Sequence, residues 1–223
     1  MDGKRAGDFL LSGVLLLLFL PLLVLCGLAV WASDGRPVLF GQERVGLDGR
    51  SFRIVKFRTM RMSAGPLVTA AGDRRVTPLG AMLRRWKLDE LPQLWNVLLG
   101  EMSFVGPRPE VPYYVERNAR WFRGIRRLRP GITDWSSLIF RDEERLLAAH
   151  AGEPAFYERT LLPRKVALAR LYARHQSWQL DLGLLAATAL ILGGATAPGY
   201  RLIGRALVQR ARAGLEPAGQ ETP

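Results

Sequence analysis

The chain has 223 residues, with 32 basic against 20 acidic side chains for a net charge of +12, and 48% of its residues are hydrophobic. That length holds one domain with a sizeable core, with room beside it for a membrane element but not for a second large domain, and the apolar share excludes wholesale disorder. The lone Cys26 excludes a disulfide framework, and no Cys/His cluster offers a zinc site.

From Phe9 to Trp31 the chain carries no charge. As a helix this run would be about 35 Å long, enough to cross a bilayer. It is longer than a signal-peptide apolar region, and no small-residue cleavage site follows before Ser33-Asp34-Gly35, so it is expected to stay in the protein. Pro21 sits near its middle, where it removes a backbone hydrogen bond and kinks the helix. Lys4 and Arg5 precede the run and Arg36 follows it, so the positive-inside rule selects neither end for translocation. A kinked spanning helix and a re-entrant hairpin with both ends on one side both remain open at this point.

Pro37 to Phe40 and Phe52 to Phe57 read as strands, and Leu47-Asp48-Gly49-Arg50 between them supplies turn chemistry for a β-hairpin. Residues 63–78 are loop-like. Thr77-Pro78 is suited to cap and open a helix carrying Leu79, Met82, Leu83 and Trp86, stopping before Pro92. A second apolar face, Leu94, Trp95, Val97 and Leu98, ends at Gly100. The glycine and prolines of GEMSFVGPRPEVP predict irregular chain. Arg117 to Arg129 is basic and amphipathic, fit either for anionic lipid, with Trp121, Phe122, Ile125 and Leu128 in the interface, or for an ordinary solvated face. Residues 142–175 read as helical. The uncharged run from Leu182 to Ala197 is too short to span a bilayer and predicts a surface-lying or core-packed helix.

The chemistry concentrates in Leu88-Asp89-Glu90-Leu91-Pro92. Adjacent carboxylates diverge by about 100° in a regular helix, so a break at Pro92 would let both face one site, and if Pro92 opens the next helix the pair also lies against that helix's positive end, which favours phosphate. Beside Arg84, Arg85 and Lys87 such a pair would hold a divalent cation and a phosphate together, which suits Mg²⁺; taken by itself the dipeptide also fits a solvated Asp-Glu pair at a helix end. An ionised Asp would need charge neutralisation more than deprotonation to attack phosphorus. In Gly106-Pro107-Arg108-Pro109 two prolines stiffen the backbone around one guanidinium, an arrangement suited to clamping an anion. Strand alternation would set Lys56 and Arg58 on one face, as a further phosphate contact or as edge protection. All but four of the basic residues are Arg, a bias that fits an anionic partner. His150 and His175 have no evident Ser or Cys partner, and no Walker-type or dinucleotide glycine motif is present.

In order along the chain, KRAGD (4–8), the Pro-broken apolar run, PVLFGQERVGLDGRSFRIVKFRTM (37–60), TPLGAMLRRWKLDELPQLWNVLLGEMSFVGPRPE (77–110) and RPGIT (129–133) resemble the small monotopic polyprenyl-phosphate phosphoglycosyl transferases of the bacterial sugar transferase family. The resemblance weakens but continues through LDLGLL (180–185). It implies transfer of a sugar 1-phosphate from a UDP-sugar to polyprenyl (undecaprenyl) phosphate, giving polyprenyl diphosphate sugar and UMP. It also implies Asp89 as nucleophile through a covalent phosphosugar, Glu90 as the companion carboxylate with Mg²⁺, and Arg108 and Arg84 as phosphate contacts. Pro21 matches the kink of a re-entrant helix. The expected protein is therefore α+β and mainly α: a membrane element over 1–35, a catalytic domain over 36–200 at the membrane surface and a basic, polar tail over 201–223. It would sit on the cytoplasmic face of the bacterial inner membrane against inner-leaflet lipid, without nucleic acid, and an oligomer is compatible with it.

This sequence departs from the family pattern in four places. Leu20 stands before Pro21 where Ser is frequent, Lys87 stands where Ser is usual before Leu-Asp-Glu, Glu101 replaces a common Asp, and DWSSLIFRDEE (134–144) replaces a Gly-Trp-Ala-Gln type segment. The competing reading is a non-enzymatic membrane adaptor that holds anionic lipid or nucleic acid through its Arg clusters. The acidic pair separates the two, because a polyanion binder has no use for carboxylates among its arginines.

Overall fold

The computed structural model describes residues 3–153 and 155–193; the expected tail over 201–223 and the end of the apolar run at Ala197 lie outside the described residues. The N-terminal run folds as two helices, α1 (Gly3–Leu18) and α2 (Leu20–Asp34), which meet at Phe19 with a bend of 61°. Pro21 lies in the first turn of α2, where it has no N–H to return to the carbonyls of α1, so the hydrogen-bond ladder breaks there. Among the described residues no single helix is long and apolar enough to cross a membrane, and only the bent pair together reaches that length and composition. Its outer face is apolar and exposed at Leu10, Val14, Leu17, Leu18 and Leu25.

Both ends of the pair are fastened to one folded body. Lys4 Nζ donates to Val105 O and Tyr172 Oη, each at 2.8 Å, and pairs with Asp181 Oδ2 at 2.6 Å. Arg5 donates to Val97 O at 2.6 Å and Leu98 O at 2.8 Å, and Asp8 Oδ1 accepts from Phe104 N at 3.3 Å. At the far end Arg58 donates to the carbonyls of Asp34, Gly35 and Arg36, covering the acceptors that the end of α2 leaves open.

The expected hairpin is present as β1 (Leu39–Val45) and β2 (Ser51–Phe57), antiparallel from Leu39 opposite Phe57 to Val45 opposite Ser51. Asp48 and Gly49 turn the chain with positive φ. α3 (Pro78–Arg85) starts where the sequence places it, with Thr77 Oγ1 accepting from Gly80 N at 3.0 Å. The break after it is not at Pro92. Lys87 takes a left-handed conformation (φ 56°), and from there a 3₁₀ turn over Leu88–Glu90 runs through Leu91 and Pro92 into α4 (Gln93–Leu99). Pro92 sits at the opening of that helix, where its missing N–H has no partner to lose.

One stretch expected to be irregular carries a strand. β3 (Ser103–Val105) precedes the prolines of its motif and pairs in parallel with a later strand. The basic stretch also differs from the lipid-facing alternative: α5 (Pro112–Arg117) and α6 (Ala119–Phe122) with the turns after them bury Phe122 and Ile125 against Val111, Tyr114, Tyr157 and Leu161. Those side chains are core. β4 (Gly131–Thr133), the partner of β3, leads into α7 (Trp135–Ile139) and α8 (Glu143–Ala149). A π-helical turn over Tyr157–Leu161 continues into α9 (Leu162–His175), and α10 (Trp178–Leu192) follows. The main core joins Ile54, Leu94, Val97, Phe104, Trp135 and Tyr172, so β2, α4, β3, α7 and α9 share one interior. A smaller cluster of Cys26, Val30, Phe57 and Leu83 joins α2 to the hairpin and α3. The molecule is α+β and mainly helical, as the sequence predicts.

Candidate active site

Asn96 sets the floor of the site. Its side-chain amide accepts from Val55 N at 3.1 Å and donates to Arg53 O at 2.9 Å, so it satisfies the outer edge of β2 as a neighbouring strand would. A further bond to Glu101 Oε2 at 2.7 Å fixes the amide's orientation. With β2 locked to α4 in this way, Lys56, the next residue on the strand, reaches the 3₁₀ turn that precedes α4.

Glu90 is the hub. Lys56 Nζ lies 2.9 Å and Arg108 Nη2 2.7 Å from its Oε1. Arg108 arrives from the Gly-Pro-Arg-Pro loop, whose position depends on two glycines: a Cβ on Gly106 or on Gly131 would collide with the backbone of the other segment, so only glycine permits that approach. Asp134 secures the loop from beneath, accepting from Arg108 N at 3.4 Å while its carboxylate also takes Ser136 Oγ and the N–H of Ser137.

The two carboxyl groups are therefore driven apart. Burial pushes the Asp89 carboxyl up, and the charge of Glu90 beside it pushes the same way. Burial acts on Glu90 too, but Arg108 and Lys56 outweigh it and hold that carboxyl well below the usual range. Arg108 is pushed up in turn, by Glu90. Asp89 Oδ1 is buried with no hydrogen-bond partner, and so are both amide atoms of Gln93, one helical turn further on. Unpaired buried polar atoms are rare and call for an explanation, a catalytic role or a bound water or ion among them.

Of the residues named from sequence, Asp89, Glu90, Lys56 and Arg108 come together. Arg84 stands at the margin: its charge favours ionised Asp89, while its guanidinium pairs with Glu144 Oε1 at 3.1 Å and touches Thr69 and Met60. Arg58 is not brought to this site. β2 ends at Phe57, so strand alternation does not extend to Arg58, which is buried on the carbonyls closing α2. Sequence reasoning passed over Gln93 and Asn96, although they follow Asp89 at the four- and seven-residue spacings of one helix face. It also missed Asp134 and Arg44 as partners of the Arg108 loop.

Among the described residues no three His, Cys, Asp or Glu side chains converge as a protein-only metal cluster. Mg²⁺ does not require one, since it is commonly held by one or two carboxylates with substrate phosphates and water. The adjacent carboxylates, one with an unpartnered oxygen, fit that mode.

The family profile described as bacterial sugar transferase matches residues 2–194. The chain is 44% identical over 141 residues to the UDP-glucose:undecaprenyl-phosphate glucose-1-phosphate transferase of Escherichia coli K12, covering 60% of this chain and 30% of that protein. It is 37% identical over 192 residues to the undecaprenyl-phosphate glucose phosphotransferase of Komagataeibacter xylinus, covering 82% and 34%. It is 42% identical over 149 residues to the exopolysaccharide production protein ExoY of Rhizobium meliloti, covering 58% and 66%. The chain thus spans about a third of the length of the first two of these relatives.

Proposed function

The chain belongs to the bacterial sugar transferase family, and from that premise we propose that it moves a sugar 1-phosphate from a UDP-sugar to polyprenyl (undecaprenyl) phosphate by way of a covalent phosphosugar on Asp89. The observation that carries this reading is the split pair: Glu90 held ionised by Lys56 and Arg108, next to Asp89 with a buried oxygen that no protein group bonds. Asp89 attacks the phosphorus that bears the sugar, and the bond to UMP breaks. The phosphate oxygen of the polyprenyl acceptor then attacks the same phosphorus and frees the Asp89 carboxylate. Lys56, Arg108 and Arg84 supply the positive charge that lets a carboxylate and a second phosphate approach an anionic donor. Mg²⁺ bound by Glu90 and Asp89 together with the donor's phosphates would add to that neutralisation.

The membrane geometry follows from the acceptor, whose phosphate lies at the lipid surface. The bent pair α1 and α2 would enter the inner leaflet with its exposed leucines and return, leaving the site on the cytoplasmic face. Holding both reactants at that surface converts an encounter across two phases into a local one.

The test is UMP release by the full chain in nanodiscs with Mg²⁺, undecaprenyl phosphate and a panel of UDP-sugars. A mass adduct of one phosphosugar at Asp89, absent in Asp89→Asn, is the expected result; product formed at an undiminished rate by Asp89→Asn overturns the assignment.

A further inference from the structure

The loop that carries Arg108 is bonded at each of four successive residues. Gly131 N donates to Pro107 O at 3.0 Å, Arg108 N to Asp134 at 3.4 Å, Arg44 Nη1 to Pro109 O at 3.0 Å, and Val45 N to Glu110 O at 3.0 Å. The Glu110 carboxylate, 7% exposed, enters a second buried cluster. Tyr157 Oη donates to it at 2.7 Å and Lys165 Nζ lies 3.1 Å from it. Lys165 also lies 3.1 Å from Tyr157 Oη and 3.3 Å from Glu143.

Two features set this cluster apart from incidental packing. Burying charged groups costs desolvation that their attraction often fails to repay, so an ion pair of this kind is weak as a source of stability and is better attested as a device that specifies one arrangement. The local helix also departs from α geometry where the cluster forms, next to Pro163, which has no N–H to donate. Residues eight apart in an unbroken α-helix point about 80° away from each other, and the wider π turn over Tyr157–Leu161 takes up that offset, so Tyr157 and Lys165 meet on the same carboxylate. Pro107 and Pro109 fix φ on either side of Arg108, so a pin at Glu110 is transmitted two residues back along a stiff chain.

We propose that Glu110, Tyr157 and Lys165 are positioning residues for Arg108: the cluster pins the far end of its loop so that the guanidinium meets a substrate phosphate beside Asp89. This role rests on the transferase reading above. The chemistry reaches back to the start of α9, which touches neither Asp89 nor Glu90 by any hydrogen bond among the described residues.

A double-mutant cycle tests it, with Tyr157→Phe removing one hydroxyl and Arg108→Ala removing the group said to be positioned. Two readouts are taken on the full chain in nanodiscs: kcat/KM for UMP release and the Kd for inorganic diphosphate. Tyr157→Phe should cost roughly tenfold with Arg108 present and less than about twofold without it, the non-additivity expected of coupled groups. Lys165→Met should behave alike, and Lys165→Arg should restore most of the loss. Non-additivity in either readout supports the proposal, and losses that add in both overturn it and leave the cluster purely structural. A wild-type protein that releases no UMP overturns the transferase reading while the diphosphate cycle still decides the cluster; one that also fails to bind diphosphate overturns both.

Discussion

Asp89 and Glu90 are neighbours in the chain and opposites in state. Glu90 shares one oxygen between two cations, and Asp89 keeps a buried oxygen without a partner. The contrast comes from the single 3₁₀ turn that Lys87 initiates, which sends one side chain toward Lys56 and Arg108 and leaves the other unpaired.

The pair should therefore respond unequally to loss of charge. Asp89→Asn is expected to lower UMP release by at least about a thousandfold, as removal of a nucleophile does. Glu90→Gln frees Lys56 and Arg108 from their carboxylate, so it should tighten diphosphate binding while lowering kcat. Titration calorimetry beside steady-state kinetics separates the two, and a Glu90→Gln protein with unaltered kcat would count against Glu90 in the chemistry.

Asn96→Leu should be among the costliest substitutions outside the dyad. It leaves the N–H of Val55 and the carbonyl of Arg53 without their partner and removes the contact to Glu101. A loss of about 2–4 kcal/mol is expected for unpairing such groups. Denaturant unfolding in detergent measures it, and a loss under about 0.5 kcal/mol would show that β2 does not depend on this amide.

The two ends of the apolar helix pair should lie on one side of the membrane. With Cys26 replaced by Ala, single cysteines placed ahead of Gly3 and at exposed Ser33 should both react with an impermeant thiol reagent only after the cytoplasmic face is opened. Reaction of either one from the outer face of intact cells would require a spanning helix instead.

Glu110 gives a pH signature. Burial would raise its carboxyl, but Lys165 and Arg44 outweigh it and hold it below the ordinary value of about 4.3. A carboxyl depressed by folding contributes stability that is complete above its unfolded pKa and is lost as pH falls through its folded one. The Tm difference between wild type and Glu110→Gln should then be constant from about pH 6 to 8 and close below about pH 4; a gap that persists in acid would assign the effect to packing.

Much of this architecture is legible in the sequence because it is locally encoded. The hairpin turn at Asp48-Gly49, the Thr77-Pro78 cap, the Gly100 stop and the broken apolar run each need only a few neighbouring residues. The misreadings arose where distant chain decides. Pro92 opens α4, one of the two roles its position suggests, but the break itself falls at Lys87, a residue with no turn preference, which takes the left-handed conformation. The amphipathic stretch around Phe122 gives no hint whether its apolar face meets lipid or protein until Val111 and Tyr157 are folded over it. Arg58 sits two residues from Lys56 and serves the end of a helix instead of the site, because the strand stops between them. The cluster at Glu110 joins that carboxylate to Tyr157 and Lys165, 47 and 55 positions along the chain, which no short motif reveals.

Arg5 bonds to the carbonyls at the end of α4, and α4 begins three residues after Glu90. Seven helical residues measure about 10 Å, so the root of the bent apolar pair and the Asp89-Glu90 carboxylates are mounted on opposite ends of one short rod. Under the proposed insertion of that pair, the altitude of Asp89 above the bilayer would be set by covalent chain together with the contacts of Lys4, Arg5 and Asp8. Thickening or thinning the lipid would move anchor and carboxylates as one piece, so such an enzyme should keep its aim on a headgroup phosphate across membranes of different composition.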